Sequence, residues 1–418
     1  MIEATTRHGG PAHPGMGFRQ FVAFIAAMMA INALGIDIML PALPAMSSAL
    51  GITVENQRQF IIAAYVLGFG AAQLFYGPLS DRVGRKPVLL VSLSLFAVAS
   101  IAATFSTDFT TIVAARLLQG VVAASSRVLA VSIVRDCYSG RQMARVMSLS
   151  FIVFLAVPIL APSIGQLILM AGPWPWIFYF LAAFAIAVVT WGWFKLPETL
   201  HEDYRRPISV ASILSAAREV VTNRYALGYT LATSLLFGGL MGYINSVQQI
   251  FADVFQRPAI FTTVFAATAG TMAIGSFFNS RIVERLGTRL VSHTALLGFI
   301  AISGVHLAVA AAGYETVLSF AVLLAATMGC FALAASNFNS MAMEPVGHIA
   351  GTASSIQGFL STTGGALVGL LIGQSFNGTT IPVAAGFFLT GVGSLAMVLL
   401  VERGKLFQAR NAPVAVPA

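Results

Sequence analysis

Three charged residues, Asp37, Arg116 and Arg127, stand inside long apolar stretches of this chain. An ionisable side chain in hydrocarbon is costly and marks a solute or proton pathway by default. Asp37 lies about one helical turn before Pro41, and Arg116 about two turns into its own stretch, so the two reach matching depth if the stretches run antiparallel. A carboxylate beside an arginine can release its partner when protonated, and proton and substrate would then compete through one charge. A static pair holding two helices together is the alternative. Arg127 follows Arg116 by eleven residues, which returns it to within about 20° of the same helical face, roughly 16 Å further along. Both arginines are expected to face one interior, which with Asp37 carries a net +1, disfavours lipophilic cations and suits neutral or anionic solutes. The alternative for Arg127 is snorkelling toward headgroups.

A second polar group lies in the carboxy-terminal half. Tyr243, Asn245, Gln248 and Gln249 share one apolar stretch, and Ser336, Asn337 and Asn339 share another. Such groups hydrogen-bond between helices or contact a ligand, and with Phe237 they make a wall suited to a moderately polar organic molecule. His306 is expected to serve helix packing, and Glu344 before Pro345 to mark a helix end. No P-loop, metal-ligand cluster or nucleophile paired with a base occurs at recognisable spacing, so neither enzyme chemistry nor a cofactor or metal is expected. Cys137 is expected in a cytoplasmic loop and Cys330 within the tenth span, so a pair is geometrically implausible.

The elements that must hold these residues are helical spans. Charged residues make up only 9% of the 418, and 57% are apolar, with a mean hydropathy of +0.85; an ordinary soluble domain is about a quarter charged. A span needs about 20 apolar residues, because its backbone must satisfy itself in lipid. Twelve such spans are legible, six from Phe18–Leu40 to Trp176–Phe194 and six from Tyr225–Ala252 to Val383–Val401. The layout is an amino-terminal tail (1–17), a first six-helix bundle (18–194), a linker (195–224), a second bundle (225–401) and a carboxy-terminal tail (402–418). Within the linker, Ser209 to Val221 reads as a surface helix or a solvated connector. With both termini inside, cytoplasmic segments hold 19 of the 23 lysines and arginines, as positive charge in short loops requires. This explains the net charge of +8 without nucleic acid. The polar first seventeen residues give no sign of a removable signal peptide.

Between the second and third spans, Gly77-Pro78-Leu79-Ser80-Asp81-Arg82-Val83-Gly84-Arg85-Lys86-Pro87 concentrates glycine and charge. A shift of 203 residues lays Asp81-Arg82-Val83-Gly84 over Glu284-Arg285-Leu286-Gly287, which points to duplicated bundles with a substrate site between them. The loop fits G-x-L-x-D-R-x-G-R-K from Gly77 to Lys86, and Arg116, Gln119 and Gly120 fit R-x-x-Q-G, with Arg135-Asp136 at the same span's end. Asp37 with Leu40-Pro41-Ala42-Leu43-Pro44, and Pro197-Glu198-Thr199-Leu200, add shorter matches. On these residues the chain resembles the major facilitator superfamily, and within it the twelve-span drug:proton antiporters of the Bcr/CflA branch, which export bicyclomycin- and chloramphenicol-like compounds.

The resemblance implies an all-α integral membrane protein of two pseudo-symmetric six-helix bundles in a bacterial inner membrane. It implies proton-coupled efflux of small organic compounds by alternating access, with the bilayer, protons and substrate as partners and a monomer as the working unit. A metabolite importer on the same fold and a non-transporting sensor are the other readings. Asp37 and Arg116 become the proton-coupling pair, and Gln119 joins Arg127 and the second-half polar residues as substrate contacts. Gly77, Asp81, Arg82, Gly84 and Arg85 become a conformational latch, in which Asp81 meets the amino end of the eleventh helix; purely topogenic charge is the alternative. The fifth-span antiporter motif, G-P-x-x-G-G in its usual form, appears as Ala161-Pro162-Ser163-Ile164-Gly165-Gln166 and loses two glycines, leaving Ala161, Pro162 and Gly165 as the hinge residues.

Overall fold

The computed structural model describes residues 14–205 and 210–408. Parts of three expected segments therefore lie outside the described residues: the amino-terminal tail to residue 13, linker positions 206–209 and the carboxy-terminal tail from 409. Twelve long helices occupy the described residues. The first six are α1 (Phe18–Asp37), α2 (Phe60–Val83), α3 (Arg85–Ala103), α4 (Phe109–Cys137), α5 (Gly140–Ala171) and α6 (Pro175–Lys195). The second six are α7 (Arg224–Gln249), α8 (Phe261–Leu286), α9 (Thr288–Ala311), α10 (Val317–Met343), α11 (Ala350–Gln374) and α12 (Ile381–Glu402). All are long and apolar enough to cross a bilayer, α10 and α11 forming one hydrophobic run that divides at Glu344–Ile349. Pro345 stands at the start of that break and Val346 leaves helical geometry there (φ −119°, ψ 21°). A proline without an N–H, followed by a non-helical residue, ends the α10 ladder.

The helix ends are built from local chemistry. Asp108 caps α4 by accepting from the Thr111 N–H at 2.9 Å, a bond that holds its carboxyl below the usual range. Asn223 accepts from the Tyr225 and Ala226 N–H groups at the start of α7, and Thr316 and Ser319 form a capping box at α10. Such caps satisfy donors that the helix leaves open. The turns from α2 to α3 and from α8 to α9 share one device: Gly84 at φ 115° and Gly287 at φ 81°, both in a region disfavoured for any residue with a Cβ. These are the two positions that the 203-residue shift superimposes.

Two ends of the molecule can be defined: a near end, where α1 begins and α12 finishes, and the opposite far end. Within the first six helices α4 packs against α2 and α3, and α1 against α5 and α4; in the second six, α7 packs against α11 and α12, and α10 against α8 and α9. The two sets meet along two seams, α2 with α11 and α5 with α8. At the α2–α4 crossing a side chain on Gly120 would collide with the Tyr65 carbonyl, so the fourth-span motif glycine is a packing requirement.

Two expectations need correction. The first helix stops at Asp37 and passes through a 3-10 turn at Leu40–Ala42, because Pro41 cannot donate to the ladder. Cys137 is the buried last residue of α4 and not part of a loop. The linker helix spans Val210–Thr222, and Ala216 and Val220 are buried with Val346, Ala353 and Ile356 beneath the α10–α11 turn. The linker is thus docked by its apolar face.

Candidate functional site

Arg116 is fully buried, and its guanidinium is spent on the first six helices. Nη2 donates to the Gly35 carbonyl at 2.6 Å, Nε to the Ile61 carbonyl at 3.0 Å and Nη1 to Gln119 Oε1 at 2.7 Å. Its Cζ stands 4.4 Å from the centre of the Tyr65 ring. Gln119 in turn donates to Ser100 Oγ at 2.7 Å. A planar fork can reach two backbones and an amide at once, which a lysine cannot. The R-x-x-Q-G pattern therefore ties α1, α2, α3 and α4 together at one point.

Asp37 is also buried, at 5% exposure, yet it makes no ion pair or hydrogen bond among the described residues. The expected pairing with Arg116 is not made in this structure. Carbonyls of α1 and α2 hold the arginine instead, two residues from Asp37. The ring of Tyr65 packs against Gly35, with its hydroxyl unbonded among the described residues. Gly165 of the fifth-span motif sits against the Ile38 carbonyl and Pro41, so closely that a Cβ there would clash. Buried Ala161 and Pro162 lie one turn earlier, and α5 thereby presses directly on the end of α1 that carries the carboxylate.

The second-half polar residues divide by what they touch. Asn245 donates to the Gly369 carbonyl at 3.2 Å, and Asn337 to Asn279 Oδ1 at 2.7 Å and to the Leu333 carbonyl at 2.8 Å; these bonds join α7 to α11 and α10 to α8. Asn245 Oδ1 and Gln248 Oε1 remain buried without hydrogen-bond partners among the described residues, and Tyr243 stacks on Phe265. Asn339 is exposed, and half-buried Phe237 packs on Gly365.

Gln249 belongs to a cluster that the sequence did not announce. Gln59 Nε2 donates to Gln249 Oε1 at 2.6 Å, Gln249 Nε2 to Asn56 Oδ1 at 3.0 Å, and Asn56 Nδ2 to the Gln374 and Phe376 carbonyls at 3.1 and 2.9 Å. Gln374 Nε2 returns a bond to the Asn56 carbonyl at 2.8 Å. Arg58 meets Asp253 at 2.9 Å. Every one of these contacts joins the residues just before α2 to the far ends of α7 and α11, so the far end is clasped shut between the two six-helix sets.

At the near end the loop residues form a charge network around the buried Arg85. Arg85 contacts Asp81 at 2.6 Å, Asp136 at 3.0 Å and Ser80 Oγ at 2.6 Å. Glu198 accepts from the Arg85 and Lys86 N–H groups at 2.8 and 3.2 Å, placing a carboxylate at the positive end of α3. The second half repeats the plan: Arg289 at the start of α9 meets Glu402 at 2.8 Å, which also accepts from the Tyr229 hydroxyl at 2.7 Å. Arg82 is exposed. Beside this network a cleft of about 200 Å³ opens between α2, α4 and α11, lined by Gln73, Gly77, Asp81, Arg127, Arg135 and Ser355 among others. Arg127 is exposed into it.

Comparison with known proteins agrees with this architecture. Residues 25–370 match the model of the Major Facilitator Superfamily. The chain belongs to that superfamily. It is 31% identical over 393 residues to an uncharacterized MFS-type transporter, YdgK, of Bacillus subtilis, covering 90% of this chain and 94% of that protein. It is 28% identical to a bicyclomycin resistance protein homolog of Haemophilus influenzae (87% and 91% covered) and 30% identical to the multidrug resistance protein MdtL of Escherichia coli (83% and 87% covered). Among solved structures, the partially occluded inward-open xylose transporter XylE of E. coli superposes with a TM-score of 0.73 at 10% identity, over 94% of this chain and 99% of that one. The human organic anion transporter MFSD10 gives 0.67 at 20% identity, over 92% and 100%. At these identities the structures establish the fold.

The chain is thus a multi-pass membrane transporter of the major facilitator fold and not an enzyme. Within that frame Asp37, Arg116, Gln119 and Arg127 were legible as intramembrane polarity in the sequence. The clasp at Asn56, Gln59, Gln374 and Asp253 was not, because polar residues at span ends look like ordinary interfacial loops. Glu402 was hidden for the same reason, and Glu198 was visible only within the Pro197–Leu200 match.

Proposed function

We propose that this transporter exports small organic compounds, drug-like and neutral or anionic, in exchange for protons, by rocking its two six-helix bundles about a central site. The near end is the cytoplasmic one, and both termini lie there, since it collects the positive loops; the membrane is the bacterial inner membrane, and the unit is a monomer. The far-end clasp then closes the outer side, and the near-end cleft opens to the cytoplasm.

One observation carries the reading: Asp37 is a buried carboxyl group within a membrane helix and has no ion-pair partner among the described residues. Such a group is stable when protonated and costly when charged, so it exchanges a proton according to which side can reach it. Its neighbourhood joins it to both halves of the working cycle. Arg116 fixes the α1 backbone two residues away, and α5 packs on the helix end just beyond. Protonation relieves the buried charge and favours one packing of α1; loss of the proton favours the other. The relatives named for bicyclomycin and multidrug resistance support export of organic compounds, and the motif Asp81-Arg82 with Gly77, Gly84 and Arg85 supports a latch at the cytoplasmic face.

The test is flux in proteoliposomes. An imposed pH gradient is expected to drive uptake of a labelled chloramphenicol-like compound into inside-out-oriented vesicles, with proton release into the bath. Flux that is indifferent to the gradient and to an uncoupler refutes proton coupling. Accumulation of the compound by expressing cells, reversed by the uncoupler, establishes import instead.

A further inference from the structure

The near-end cleft holds more cationic capacity than its surroundings use. Two guanidiniums line it, Arg127 and Arg135, eight residues apart on α4. Both are exposed, and neither makes a hydrogen bond, ion pair or ring contact among the described residues. The one acidic residue on the cleft wall, Asp81, is already engaged by Arg85 at 2.6 Å, and Arg85 itself is buried between Asp81 and Asp136. The facing wall belongs to the other six-helix set. It is the first turns of α11, with Gly351, Thr352, Ser354 and Ser355, and α11 begins there without a side-chain cap. Arg135 Nη1 approaches to 3.2 Å from where a Cβ on Gly351 would be, so the guanidinium already leans against that turn.

Two unpaired planar forks opposite small hydroxyl residues and the amino end of a long helix form a pocket for negative charge. We propose that this cleft binds an oxyanion, a carboxylate or phosphate group, between Arg127, Arg135 and the first turns of α11. The shared chemistry admits two sources: the acidic group of a soluble organic anion and the phosphate of an anionic lipid headgroup. Because the walls come from both six-helix sets, the bound anion bridges them at the near end and resists their separation there. The proposal concerns binding and stands whether or not the anion is the exported solute.

The full-length protein in phosphatidylcholine nanodiscs would be dialysed against labelled inorganic phosphate and, separately, labelled benzoate. Saturable binding at one site is expected for at least one probe. It should weaken with added salt and fall by about ten-fold or more in Arg127→Gln and in Arg135→Gln, as loss of a charge-assisted hydrogen bond implies. Arg127→Lys, which keeps the charge and loses the fork, should be intermediate. Ser354→Phe, at an exposed lining position, removes no charge and fills the cleft from the α11 side, and it should also abolish binding; this guards against a folding defect caused by arginine loss.

Repeating the dialysis in nanodiscs containing phosphatidylglycerol distinguishes the sources. Displacement of the soluble probe, with phosphatidylglycerol retained on the parent and lost from Arg127→Gln, identifies the lipid headgroup. Undiminished probe binding identifies a soluble anion. The proposal is overturned if the parent binds neither probe nor lipid saturably, or if the doubly substituted Arg127→Gln, Arg135→Gln protein binds as well as the parent. Failure of the flux experiment with binding intact would count against proton-coupled export alone.

Discussion

Arg58 Nη2 lies 2.9 Å from Asp253 Oδ2, one residue standing just before α2 and the other just after α7, so the two six-helix sets are joined by charge at the far end. Around the pair, Asn56, Gln59, Gln249 and Gln374 continue the join through amides. Alternating access needs these bonds to break together. Reversing either charge alone, as Arg58→Asp or Asp253→Arg, should raise the population with the far end open by roughly five-fold, the equivalent of about 1 kcal/mol for a partly exposed pair. The double reversal should restore it. Maleimide labelling of a cysteine placed at the buried Ser246 reads the opening; equal labelling in the parent, both single reversals and the double reversal would remove the gating role.

Asp37→Asn should reduce gradient-driven export to background while the protein still inserts and folds, since the amide keeps the shape and hydrogen-bonding capacity of the side chain without its proton exchange. Substrate exchange at equal pH on both sides should survive. Full gradient-driven transport by the variant would assign coupling to another group.

Arg116→Lys should behave as a stability lesion. The ammonium is a compact charge and cannot span Gly35, Ile61 and Gln119 together, so at least one buried acceptor is stranded at a cost of about 1–3 kcal/mol. A lower thermal midpoint in detergent, largely independent of substrate, is the expected result. Unchanged stability with altered transport would make Arg116 a substrate ligand.

Gly120 and Gly270 form a matched contrast. A Cβ on Gly120 meets the Tyr65 carbonyl, whereas one on Gly270 meets nothing within 4 Å. Gly120→Leu should cost about 1–3 kcal/mol or more by forcing α2 from α4. Gly270→Ala should be neutral or stabilising by about 0.5–1 kcal/mol through helix propensity. Thermal unfolding of the two variants beside the parent provides the comparison.

Arg127→Ala should weaken transport of neutral and acidic compounds and admit cationic dyes that the parent excludes, with Arg127→Lys between the two. The readout is a competition profile in vesicles, normalised to inserted protein. An unchanged profile would separate the cleft arginine from solute selection.

By itself the sequence determined everything that lipid enforces. Backbone satisfaction in hydrocarbon makes each apolar run a helix, so the twelve spans and the linker were legible from composition, and the Gly84–Gly287 correspondence was visible because a positive φ demands a particular residue at both turns. The intramembrane charges Asp37, Arg116 and Arg127 stood out because burial in an apolar run is a property of the run. Partner choice was not legible. Matching depth suggested an Asp37–Arg116 pair, yet a guanidinium can be satisfied by carbonyls from any helix that approaches closely, and only packing brought Gly35 and Ile61 within 3.0 Å of Arg116. Likewise Gln59 and Gln249 are 190 residues apart, and nothing local in either span end signals the other. Tertiary structure decided which polar groups meet because those contacts depend on the relative placement of the two six-helix sets, a rigid-body property that no local periodicity records.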